Sequence, residues 1–280
     1  AELSERAGQF EAAIEHLVSA VDNAVNTIER AKIFGQIATN ALLGRGAPTM
    51  ALGMAVRALQ LCGFSNLRGS ECDCTEELTI LTQLSRLEPC EQKETLADPR
   101  GRAFVLDAVE TLVVAAFLKG VSPRGFQPAS KILRVLSSVE TGERSGKVHL
   151  LQAFVHTLLE NPTRVVKALN MAKETGLEGG LLERYEALKV YARFRFDNNL
   201  EIEPAQFAQR PSSPLGLLLT LEMAHALWLR GHTDSAHSLL NVVERLPSVA
   251  GGDVARPALW NAIELLHGRN VVTPGAFTED

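Results

Sequence analysis

Apolar residues recur every three or four positions along most of the chain, the spacing of one buried helix face. In 4–24, SERAGQFEAAIEHLVSAVDNA, the stripe is Ile14, Leu17 and Val21. In 33–64 it is Leu52, Val56 and Leu59. Polar breaks carrying Gly, Pro or Asn separate such stripes. Over 98–120, Asp98 is the expected cap, Pro99 the first helical residue and Gly120 the stop. Over 74–90, Thr75 caps a helix with Glu76 and Glu77 in its first turn. An Asn-Pro start at Asn161 opens a helix over 161–176. Further helices are predicted over 127–142, 145–161, 180–199, 212–231 and 254–268, with 127–142 and 145–161 forming a hairpin. No run alternates apolar and polar residues for long enough to make a strand, so the fold class is all-α, with about twelve helices in about six antiparallel pairs. Looser links lie at 63–74 and 201–214, and 271–280 is expected to be a disordered tail.

One interval repeats. Gly8 is followed five residues later by Ala13 and seven after that by Ala20. Gly46, Ala51 and Ala58 keep the same spacing, as do Gly231, Ala236 and Val243. A glycine in the turn of a helical hairpin supplies a positive φ. The first small residue, one turn into the second helix, lets its partner come close. The second lets the next hairpin stack on the same face. A lone hairpin cannot bury both faces and needs neighbours, which is the logic of a solenoid.

These segments resemble tetratricopeptide (TPR) repeats. Gly8, Phe10, Ala13, Leu17 and Ala20 fall on that family's second-helix positions; so do Gly46, Ala51, Ala55 and Ala58, and again Gly231, Ala236, Leu240 and Pro247. The first-helix positions Gly35, Ala38, Thr39 and Leu42 fit only loosely, and the family's Trp is absent. The resemblance implies a right-handed α-solenoid over 1–270, regular in 1–63 and 213–268 and degenerate in 75–200. The stretch from Ala7 to Phe64 is also similar to the TPR-like region that follows the nucleotide-binding module of large signalling ATPases, some fused to histidine kinases and others transcription activators. The chain opens on Ala1 inside an amphipathic pattern, which fits a segment of a longer protein.

Composition adjusts this picture little. Of 280 residues, 46% are hydrophobic and only 5% aromatic, which suits helices packed through aliphatic side chains. The net charge is −5 and the basic residues form no stripe, so nucleic acid is not an expected partner. The apolar runs at 111–118 and 215–221 are too short to span a bilayer. Without a signal peptide, the expected location is cytoplasmic. The four cysteines, Cys62, Cys72, Cys74 and Cys90, crowd one stretch. Their C-x9-C-x-C-x15-C spacing is a poor zinc pattern and fits reduced thiols better, although a disulfide or metal role stays open.

Few residues of the chain fall into a pattern that carries chemistry. TGERSGKVHLL (141–151) lacks one residue and the hydroxyl of a phosphate loop, which leaves Lys147 as an expected solvated first-turn residue. His225, His232 and His237 gather around one turn with Asp234, and Glu264 with His267 forms a single ExxH. Neither completes a metal site. No nucleophile-elbow, zincin or dinucleotide motif occurs. No enzyme activity and no cofactor is expected. Arg184, Tyr185, Lys189, Arg193 and Arg195 crowd one helix and form the candidate surface for an acidic peptide, against the plainer reading of a core stripe with a solvated basic face.

The expected function is a non-catalytic scaffold or sensor that binds a protein or peptide, within a larger signalling or regulatory protein. The alternatives are a stand-alone TPR-like adaptor or secretion or assembly chaperone, and a helical enzyme or metal protein that would rest on the Cys or His cluster. The oligomeric state is not legible.

Overall fold

The computed structural model describes residues 10–43, 47–64, 77–88, 93–196, 214–229 and 231–244. Gly8, Gly46, Cys72, Cys74, Cys90, the Thr75 cap, the 254–268 helix and the 271–280 tail lie outside them. The described residues hold twelve α-helices, one 3-10 turn and no strand: α1 (Phe10–Val21), α2 (Thr27–Leu43), α3 (Pro48–Leu61), α4 (Glu77–Ser85), α5 (Lys93–Ala97), α6 (Pro99–Leu118), the turn Pro123–Phe126, α7 (Gln127–Val139), α8 (Gly142–Leu158), α9 (Pro162–Glu174), α10 (Gly179–Phe196), α11 (Pro214–Leu229) and α12 (Thr233–Glu244).

Local chemistry sets the ends of several of these helices. The Asp98 carboxylate accepts from the backbone N–H of Arg100 at 3.1 Å and of Gly101 at 3.3 Å, with Pro99 in the first turn. The Asn161 side chain accepts from the Arg164 N–H at 3.2 Å ahead of Pro162. At the C-terminal end of α6, Gly120 takes φ +67° and the Val121 N–H reaches back to the Ala116 carbonyl at 3.0 Å. Gly231, between α11 and α12, takes φ +81°, a conformation that costs a side-chain-bearing residue energy.

Helices close in sequence are close in space. α2 packs along α3, α8 along α9 and α11 along α12. Each pair is joined by three or four residues, a length that folds the second helix back on the first. Small residues make the α2–α3 approach possible: Ala31, Ala38, Ala41, Ala51, Ala55 and Ala58 are all fully buried. α3 then packs directly on α6, so α4 and α5 stand outside that succession. α6 is the hub, touching α2, α3, α5, α7, α8 and α11. Phe104 of α6 lies against Gly35 of α2, where a Cβ would sit 2.5 Å from its ring.

Two sequence expectations shift. The 127–142 and 145–161 helices do pack together, but α8 meets α9 more extensively than α7. α8 also begins at Gly142, not at Ser145. Between the two helices, the buried Glu140 carboxylate holds Arg102 Nε at 3.0 Å and Arg144 Nε at 3.9 Å. α7 ends at Val139, and the extended residues Glu140 and Thr141 are all that separates the two helices.

Candidate functional site

The middle of α6 reads DAVETLVVAAF, and Glu110 lies in this apolar stretch with its side chain only 6% exposed. A buried carboxylate needs partners. Lys147 Nζ of α8 lies 3.0 Å from one carboxylate oxygen; Arg184 Nη1 of α10 lies 3.8 Å from the other. The Leu215 backbone N–H, in the first turn of α11, donates to that second oxygen at 3.4 Å. A helix N-terminus favours a negative charge, so α11 is held partly by this carboxylate. Lys147 also pairs with Asp107 at 2.6 Å. Burial alone would push its pKa down; Glu110 and then Asp107 outweigh that and hold it above its ordinary value. A raised lysine pKa contributes stability that is fully present below the unfolded value of 10.5 and is lost as pH rises through the folded value. Lys147 is therefore a structural cation tied to α6, not the solvated residue the sequence suggested.

The basic helix divides between interior and surface. Arg184, 15% exposed at its side chain, is committed to Glu110. Tyr185 is buried in the core. Lys189 pairs with Glu186 at 3.4 Å and lies over the Tyr185 ring at 5.9 Å. Arg195 reaches Glu160 at 3.9 Å, and Arg193 is exposed. So Lys189, Arg193 and Arg195 are at the surface, whereas Arg184 and Tyr185 belong to the packing. Beneath them, burial and the charge of Glu222 push the Tyr191 hydroxyl pKa up, with Arg195 opposing. Glu222 is itself raised by burial, again against Arg195.

A different surface has the shape of a site. Where α4 departs from the regular succession, a groove of about 580 Å³ opens between α3, α4, the α6–α7 connection and the start of α7. Its floor is apolar: Leu52, Ile80 and Leu84 are buried, and Leu81, 37% exposed, stands at its edge. Its polar rim carries Lys119, Arg124 and Lys131 and no carboxylate. Lys131 reaches Glu88, outside the lining, at 3.2 Å. KGVSPRGFQP (119–128) holds the end of one predicted helix and the start of the next, and the connection between them carries no helical period that would mark a site. The signal available was two cations and Val121 within one short connection.

The remaining candidates are simpler. Cys62 is a buried free thiol whose pKa burial pushes up to about 12, against the charge of Lys32, so the thiol form dominates at neutral pH. His232 is exposed in the α11–α12 turn, and His237 lies one turn into α12. Among the described residues no group of three His, Cys, Asp or Glu is placed to hold a metal ion. None of the described helices is long and apolar enough to cross a membrane. Comparison with family models, with curated proteins and with solved structures finds no match for the chain.

Proposed function

We propose that this chain is a non-catalytic binding module, a TPR-like α-solenoid that holds a protein or peptide partner and serves as a scaffold or sensor within a larger regulatory protein. The groove between α3, α4 and α7 carries this reading. It combines an apolar floor with a rim of three cations and no carboxylate, in a chain whose net charge is −5. Its complement is an acidic segment that places one apolar side chain between flanking carboxylates. The back-to-back packing of α2 on α3, α8 on α9 and α11 on α12 supports the hairpin-repeat part of this description, while α6 also reaches helices beyond its neighbours.

The test is selection from a displayed random peptide library, followed by titration of the enriched peptides. Enriched sequences are expected to carry Asp or Glu around Leu or Phe and to bind less tightly as salt rises. Arg124→Glu and Leu81→Glu are each expected to weaken binding by about tenfold or more, which is about 1.4 kcal/mol. Both residues are exposed, so the unfolding free energy is expected to stay within about 0.5 kcal/mol of wild type. Binding that is indifferent to both substitutions would remove the groove from the account. Loss on Arg193→Glu instead would move the site to the basic end of α10.

A further inference from the structure

α7, α8 and α9 line a second, open pocket of about 370 Å³. It lies on the side of α8 away from Glu110: Gln152 and His156 line it, and at about 100° per residue they sit about 140° and 180° round the helix from Lys147. Two stripes face each other across it. On α7 these are Ser130, Arg134 and Ser137, at i, i+4 and i+7; on α9 they are Arg164, Lys167 and Met171, at i, i+3 and i+7.

Three features of this pocket point to a missing ligand. First, its lining holds three permanent cations and no carboxylate. The Arg134 and Arg164 guanidinium groups and the Lys167 ammonium form no ion pair and donate no hydrogen bond within the described residues, whereas Lys131 of α7 and Arg144 and Lys147 of α8 are paired; Lys173 of α9, outside the pocket, is unpaired as well. Second, His156 Nδ1 is buried and is the one such side-chain atom among the described residues without a hydrogen-bond partner. A buried polar atom left unpaired is rare and calls for a partner the protein does not supply. Third, the Ser130 hydroxyl, whose oxygen is not among the buried atoms, makes no hydrogen bond within the described residues. Burial, then Arg164, then Arg134 lower the His156 pKa, which keeps the ring neutral. In its Nδ1-protonated tautomer it is a donor, not a further charge.

We propose that this pocket binds a small phosphomonoester dianion, with Arg134 and Arg164 clamping the phosphate from opposite walls, Lys167 adding charge, Ser130 donating a hydrogen bond from the floor and the His156 ring lying beside it. Two guanidinium groups and an ammonium suit a dianion better than a single carboxylate. The volume exceeds that of phosphate alone and lies at the small end of ligand sites. Ala168 and Met171 give the remaining space an apolar wall for the carbon body of the ligand. The phosphate can belong to a free small molecule or to a phosphorylated side chain, and the chemistry of recognition is shared.

The experiment is a titration of the chain with phenyl phosphate, with inorganic phosphate and with a phosphoserine peptide, against sodium chloride at matched ionic strength. The His156 ring resonances are followed by NMR, and the melting temperature in parallel. A saturable shift of His156 and a rise in melting temperature are expected with phenyl phosphate and absent in chloride. Arg134→Gln and Arg164→Gln are each expected to weaken binding at least tenfold, and Lys167→Gln by a smaller factor. All three side chains are exposed, so the variants are expected to melt as wild type does. Tighter binding of phenyl phosphate than of the peptide assigns the site to a small molecule; the reverse assigns it to a phosphorylated protein. No saturable shift with any of the three would overturn the proposal, as would a shift unchanged by both arginine substitutions. Neither result bears on the acidic-peptide groove, which shares no residue with this pocket.

Discussion

Phe154→Ala is expected to lower the unfolding free energy by about 4 kcal/mol, within the range for emptying a fully buried aromatic site. Phe154 is 0% exposed. Its ring lies 6.1 Å from Phe117 of α6, tilted by 54°, and 6.1 Å from Tyr191 of α10, tilted by 41°. One side chain therefore joins three helices, with ring geometries that add to its area burial. Removing it opens a cavity where α6, α8 and α10 meet, and none of the three can shift alone because each is packed on another neighbour. The matched control is Phe196→Ala, at a residue 40% exposed, with an expected loss near 0.5 kcal/mol. Urea unfolding followed by circular dichroism separates the two. A Phe154→Ala loss below about 1 kcal/mol would mean that this aromatic junction does not exist as described.

Glu110→Ala is expected to cost about 3 kcal/mol, the lower end of the range for breaking a buried ion pair from one side. The lower end applies because the Lys147 side chain stays 25% exposed and keeps Asp107 as a partner. Arg184 loses its carboxylate, and the first turn of α11 loses the acceptor for the Leu215 N–H. The melting temperature is expected to fall by roughly 6–9 °C. The diagnostic is the double change. Lys147→Met alone destabilises, because it leaves Glu110 buried with less positive charge beside it. Adding Lys147→Met to Glu110→Leu is expected to recover part of the loss, since a buried pair replaced by apolar groups of similar volume is close to neutral. Strict additivity of the two single changes would show that the carboxylate and the ammonium do not interact.

The helices themselves were largely legible, and the contacts between distant helices were not. Asp98, Pro99, Gly120 and the Asn161-Pro162 start act through neighbours a few residues away, so the sequence contains both partners. The ion pair between Arg102 and Glu140, which ties the α7–α8 junction to α6, joins residues 38 apart and left no local signal. The short α5 and the Pro123–Phe126 turn carry no apolar period of their own and gave no signal. The basic helix looked like one surface because sequence spacing cannot show that Arg184 faces a carboxylate 74 positions earlier. Glu110 itself was a usable clue: an acid inside an apolar run demands a cation, and Lys147 and Arg184 were the ones to look for. Beyond the two cations of the 119–124 connection, the groove and the second pocket left no signal in the chain, because each is assembled from three or more separate segments.

Hydrogen–deuterium exchange of the chain, with and without a saturating selected acidic peptide, tests the central claim most directly. The account predicts slowed exchange in 49–52, 80–85 and 119–131, the segments that line the groove, with 184–195 unchanged. Protection centred on 184–195, or no protection at a peptide concentration shown to saturate binding, would contradict it.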